Sequence, residues 1–254
     1  METDHLVLPT ELLRISVFSP LFLDYRHAPV GDWWRSATGS EPEQINQNAN
    51  AKQLSADGSH LDGRLVILSS PGRIDWNLLP SPIPYPNSWP NVGTWPTSIG
   101  PLYDLAKKWL IAFEQPITRL ALSANVLKVM SDRNSAYEGV AAALGDFGLR
   151  FPAGTSDFLL QFNIAVPSKE GPPGMKVNRL ARWGAGLYKP LVQVILSPGT
   201  PVIASGDNEI HSLRAELDFN TSGEWTEAIP SEKVMPLLGE LVDTAVAYIE
   251  ERFK

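Results

Sequence analysis

Residues 63–80 read GRLVILSSPGRIDWNLLP, and the fold class turns on this stretch. It predicts two short strands joined at Ser70-Pro71-Gly72-Arg73. Pro71 presets φ at the second turn position, and Gly72 supplies the positive φ that a type II turn needs at the third. On a strand that starts directly after the turn, Ile74, Trp76 and Leu78 share one face, and Arg73, Asp75 and Asn77 share the other. The pattern predicts an antiparallel pair with one face apolar and one polar.

Working outward, similar alternation recurs. Residues 12–18 place Leu13, Ile15 and Val17 against Arg14 and Ser16. Residues 212–220 place Leu213, Ala215, Leu217 and Phe219 against Arg214, Glu216 and Asp218. Strands are also predicted over 117–130, 157–166, 176–183 and 187–196. Helical spacing appears in three places. After Pro101, a good first-turn residue, Leu102, Leu105, Ala106, Trp109, Leu110 and Phe113 form a stripe. Residues 136–144 form a second helix, capped by Asn134 or Ser135. The chain closes on a third, with Pro236 in its first turn and Leu237, Leu238, Leu241, Val242, Ala245, Ile249 and Phe253 on its buried side.

Two stretches lack a clear period. Residues 26–62 are polar and rich in Asn, Gln, Gly and Ser, so they read as a functional loop or as one hiding a strand. Residues 80–101 hold prolines 80, 82, 84, 86, 90, 96 and 101, which favour an extended path. Tyr85, Trp89 and Trp95 would pin that path to the surface. The expected class is α+β, with mostly antiparallel sheet and about three packed helices. A weak pseudo-repeat, strands then helix, shows at 64–113 and again at 187–253. The expected organisation is a single domain over 1–254, with 1–115 and 116–254 as its halves.

Composition narrows the chemistry. A chain of 254 residues with 43 % hydrophobic and 19 % charged residues can bury a full core without covalent staples. Its net charge of −7 and lack of a Lys/Arg run argue against nucleic acid as a partner. Zero cysteines exclude disulfides, thiolate metal sites and thiol nucleophiles. The N-terminal residues lack the basic and uninterrupted apolar regions of a secretion signal, and no apolar run approaches the ~20 residues of a membrane span. A cytoplasmic location with no membrane contact is the expectation.

No phosphate loop, dinucleotide fingerprint, nucleophile elbow or H-E-x-x-H is present. Three weaker constellations remain. Asp207, Glu209 and His211 would share one strand face, the geometry of a metal site, but they read as a polar loop, so no metal and no cofactor is expected. Asp57, His60 and Asp62 precede the 63–80 hairpin and could do acid–base work. Arg73, Asp75 and Trp76, with Trp33, Trp34 and Arg35, combine arginine with aromatics, the chemistry of binding hot spots. Arg182 and Trp183 repeat the theme.

Arg119-Leu120-Ala121-Leu122 with Asn125, then Leu217-Asp218-Phe219-Asn220, then the helix from Leu238 and Leu241 to Phe253, carry a resemblance. Over this C-terminal half the chain resembles a sporadically distributed, functionally uncharacterised bacterial family of about 250 residues. The first block in that family reads closer to R-x-x-L-R-Y-x-N, and Ser123 and Ala124 stand here in place of the basic–aromatic pair. The resemblance implies an accessory bacterial protein of antitoxin, immunity or defence type and names no catalytic residue.

The leading expectation is therefore a non-enzymatic binding protein whose partner is another protein or a second copy of the chain. Its binding residues would be drawn from Trp33, Trp34, Arg35, Arg73, Asp75, Arg119, Arg182 and Trp183. An acidic molecule suits a basic partner. The alternatives are an enzyme of unfamiliar type built on Asp57, His60, Arg73 and Asp75, and a small-ligand binder with a Trp-lined cavity.

Overall fold

A computed structural model describes residues 7–20, 24–81, 88–189, 191–197, 200–205 and 209–253. In chain order the first half runs β1 (Leu8–Phe18), α1 (Val30–Thr38), β2 (Gln44–Asn48), β3 (Gln53–His60), β4 (Gly63–Ser70), β5 (Arg73–Pro80), the short β6 (Thr94–Trp95) and α2 (Ile99–Ala112). The second runs β7 (Arg119–Met130), α3 (Arg133–Ala143), β8 (Leu159–Pro167), β9 (Lys176–Tyr188), the ribbon β10 (Leu191–Ser197) and β11 (Thr200–Ser205), β12 (Ile210–Thr221) and α4 (Ser231–Arg252).

Nine strands form one antiparallel path, β2-β3-β4-β5-β1-β7-β12-β9-β8, with β6 added to the start of β1. The expected α+β class with antiparallel sheet holds, with four α-helices among the described residues rather than three. Gly72 sits at φ 74°, in the positive region its turn requires, and the hairpin pairs from Ser70↔Arg73 to Gly63↔Pro80.

The weak repeat is much fuller in space. Each half is a strand, a helix, a run of antiparallel strands and a second helix. The opening strands β1 and β7 lie side by side at the centre, and β5 and β12, the last long strands of each run, flank them. What repeats is topology, so sequence comparison of the halves shows little of it.

Alternation produces the core directly. Leu13, Ile15 and Val17 of β1, Ile74, Trp76 and Leu78 of β5, and Leu213, Ala215, Leu217 and Phe219 of β12 are all buried on one face. Register aligns these rows across strands: Ile15 faces Trp76 on one side and Leu122 on the other. The helices cover that face. Trp109 of α2 meets Trp76 with ring centres 5.6 Å apart, and Trp183 of β9 meets Phe253 just beyond α4 at 5.5 Å. Each large side chain so enclosed contributes roughly 1.5–3 kcal/mol.

Of the two readings of 26–62 the one with a hidden strand holds, and the stretch carries more than that, a helix and two strands, α1, β2 and β3. In α1 only Val30, Trp34 and Ala37 are buried, a one-face stripe confined to nine residues and closed by Gly39 at φ 77°. All five residues of the edge strand β2 are exposed, so backbone pairing rather than side-chain alternation holds it. Smaller corrections concern helix ends and one ribbon. Asp132 caps α3, accepting from the Ser135 N–H at 2.9 Å while the Ser135 hydroxyl accepts from the Asp132 N–H at 3.1 Å. α4 starts at Ser231, so Pro236 lies inside it and removes one interior hydrogen bond. Strand β9 continues to Tyr188, and the separate β10–β11 ribbon follows where one strand was expected. In the proline-rich stretch Trp89 and Trp95 are buried as expected, while Tyr85 falls outside the described residues. No described helix is long and apolar enough to cross a membrane.

Candidate functional site: the open face of the sheet

From Leu13 onward the odd-numbered positions of β1 point to the helices, so Leu12, Arg14, Ser16 and Phe18 point the other way. A bulge between Thr10 and Leu12 brings Glu11 to that second face as well. Register extends this second face across the sheet. Arg14 lies opposite Ser123, Ser123 opposite Asp218, and Asp218 opposite Leu180. One step along, Leu12, Asn125, Glu216, Arg182 and Gln161 make a parallel row. Among the described residues no α-helix packs here. At one end Trp89 closes the face, seated where Gly186 has no side chain and donating its indole N–H to Glu11 at 3.2 Å.

Two hydrogen-bonded networks organise the face. The first runs across five strands, β8, β9, β12, β7 and β1. Arg182 donates to Gln161 at 3.0 and 2.8 Å and to Glu216 at 3.1 Å. Arg214 bridges Glu216 at 3.2 Å and Glu11 at 2.7 Å, and Glu11 also accepts from Asn125 at 3.2 Å. Its charges are mutually satisfied, so this network acts as a brace. The second centres on Asn220, 4 % exposed, whose side-chain oxygen accepts from Arg119 at 2.9 Å and Asn178 at 3.1 Å. Its nitrogen donates to the Asp218 carboxylate at 3.0 Å. Arg119 also lies over the Phe18 ring, 5.0 Å from its centre, and Arg73 reaches the same ring at 5.2 Å. Arg73 donates to Asp75 at 2.8 Å, and Ser16 donates to the same carboxylate at 2.5 Å.

Two groups are left over. Among the described residues, Arg14 has one hydrogen bond, to Ser123 at 3.0 Å, no carboxylate partner, and a buried Nε with no acceptor. Asp218 has its Asn220 bond and no cation. Both line a shallow cavity of about 280 Å3, together with Leu12, Ser123, Asn125, Leu180, Arg182 and Glu216.

The sequence candidates are divided between the two faces. Arg73, Asp75, Arg119 and Arg182 are on the open face. Trp34 and Trp183, 1 % and 0 % exposed, are core residues on the helix side and cannot serve as exposed anchors. Trp33 packs on Trp109 at 5.4 Å in the same helix layer. Arg35 is exposed on α1 and pairs with Asp32 and Glu41. The predicted grouping of these tryptophans with Arg73 therefore does not form, because α1 and the open face lie on opposite sides of the sheet.

The acid–base set divides the same way. Asp57 is on the open side, bound to Arg64 and to Asn46 at 3.1 Å. His60 is on the helix side, 6.4 Å from the Trp34 ring, and burial, helped by Lys108, lowers its pKa. Asp207 of the third set falls outside the described residues. Glu209 pairs with Lys189 at 2.6 Å and stands 3.7 Å from His211. No group of three metal-ligating side chains occurs among the described residues.

Sequence reasoning passed over Arg14, Ser123, Asp218 and Asn220 as site residues. Their only signal is the polar side of an alternating strand, which any solvent-facing surface shares. Compared with known proteins, the chain matches no family model, no curated protein and no solved structure.

Proposed function

We propose that the chain is a non-enzymatic accessory binding protein, and that another protein docks on the open face of its sheet. The observation that carries this reading is the pair of half-buried arginines, Arg14 and Arg119, fixed on that face without a carboxylate partner among the described residues. A guanidinium already oriented by Ser123 or Asn220 loses little freedom on binding, and its fork suits a carboxylate.

Charge distribution refines the partner's chemistry. On the central strands Arg14, Arg73, Arg119, Arg182 and Arg214 face Glu11, Asp75, Glu216 and Asp218, five positive against four negative. The chain as a whole carries −7, so its acidic excess lies off this face. That balance favours a partner segment bearing carboxylates, whereas net charge alone favours a basic one. The enzyme alternative is less well supported, since His60 is across the sheet from Asp57, Arg73 and Asp75.

The test is recovery of the tagged chain from its native host beside two variants. Arg14→Glu with Arg119→Glu reverses the face, and Glu250→Lys with Glu251→Lys alters exposed positions on α4. A protein retained by the wild type and the α4 variant but lost from the face variant supports the reading. Recovery of the chain alone, or equal retention by the face variant, overturns it.

A further inference from the structure

Opposite charges on a protein surface ordinarily close on each other. Arg14 and Asp218 share a cavity and do not, and each is restrained by a separate neighbour. Ser123, between them in the register, accepts the Arg14 Nη2 bond. Asn220, two residues along the same strand, donates to Asp218, and Asn220 is itself fixed by Arg119 and Asn178. Arg119 is in turn held against Phe18. The carboxylate thus stands at the end of a chain of contacts of its own, and β7 with Ser123 lies between it and the guanidinium.

We infer that this cavity is a binding site for a small zwitterion, an α-amino acid. The ligand's carboxylate would take the free edge of the Arg14 guanidinium, and its ammonium would take Asp218. Leu12 and Leu180 supply apolar walls for an aliphatic side chain. At about 280 Å3 the space lies just under the roughly 300–1,000 Å3 of sites for drug-sized ligands, which suits a molecule of this size. The neighbouring Arg182–Glu216 pair is satisfied internally and frames the site without competing for the ligand's charges. The inference goes beyond the docking of a protein on the same face and does not depend on it.

Thermal unfolding of the full chain with L-leucine, and with the other proteinogenic α-amino acids as a panel, tests the site. A ligand that binds only the folded chain raises its Tm, by about 3 °C or more at ten times Kd. N-acetyl-L-leucine lacks the ammonium and L-leucinamide lacks the carboxylate, so each is expected to bind about tenfold more weakly or worse. Arg14→Met and Asp218→Asn should abolish the response while leaving the unliganded Tm measurable. No shift with any member of the panel overturns the site, as does an equal response to the blocked derivatives or an undiminished one in both variants. Should either variant fail to fold, the derivative series on the wild-type chain decides alone.

Discussion

Asn220 and Asp218, two residues apart on one strand, are joined by a side-chain hydrogen bond of 3.0 Å that runs along the strand. Asn220 uses its other end to hold Arg119 and Asn178, so one buried amide ties three strands together. Replacing Asn220 by Ala strands these partners, and leaving buried polar groups unsatisfied costs about 1–3 kcal/mol. Urea unfolding should show the midpoint of Asn220→Ala falling with an unchanged slope. An unaltered midpoint would mean that solvent replaces the amide at no cost.

Trp76 anchors the other face. It is fully enclosed between β5 and the Trp109 ring of α2. Trp76→Ala is expected to destabilise the fold by about 3–5 kcal/mol, the range for large core truncations. Trp33→Ala, at the partly buried margin of the same cluster, should cost clearly less in the same assay.

Gly63 opens the hairpin strand β4 opposite Pro80, where a Cβ would collide with the Leu79 carbonyl oxygen. Backbone cannot yield as a side chain can, so Gly63→Ala should lose about 1–3 kcal/mol. Gly100 in the first turn of α2 has open space around its Cβ position, and Gly100→Ala should be neutral or stabilising by up to about 1 kcal/mol. Equal effects of the two substitutions would contradict the close approach at Gly63.

The His60 pKa is lowered first by burial and then by Lys108, so the folded chain disfavours its protonated form. The unfolded chain then binds the proton more readily. The stabilisation due to neutral His60 is fully present above the ordinary imidazole pKa, and it is lost as pH falls from there through the depressed folded value. His60→Gln should flatten the fall in Tm between about pH 7 and 5 relative to the wild type. A pH profile unchanged by the substitution would place that dependence elsewhere.

How far the sequence reports this molecule depends on whether a residue's environment is set locally or by distant strands. Strands β1, β4, β5 and β12 were legible because each buries a continuous alternating row, and α2 and α4 because their stripes are long. Strand β2 was illegible because QINQN buries nothing, and α1 because three buried residues in nine make too short a stripe. The open face was half legible. Alternation separates Arg14 from Leu13 and Asp218 from Leu217, but it cannot say that β1 and β12 flank β7 and so bring Arg14 and Asp218 to one cavity. Trp183 shows the opposite error. Beside Arg182 it reads as part of a binding pair, yet a one-residue step on a strand puts it on the other side of the sheet.

Placing β1 and β7 together at the centre also imposes an order of events on folding. Arg14 and Ser123 meet across 109 positions of chain, and Glu11 and Arg214 across 203. Closing loops of that length precedes any gain from the contacts they permit, so the central seam forms late and slowly compared with the local hairpins. While the second half is still being made on the ribosome, β1 already has β5 on one side and presents a bare strand edge on the other, open to pairing with a foreign chain until β7 arrives.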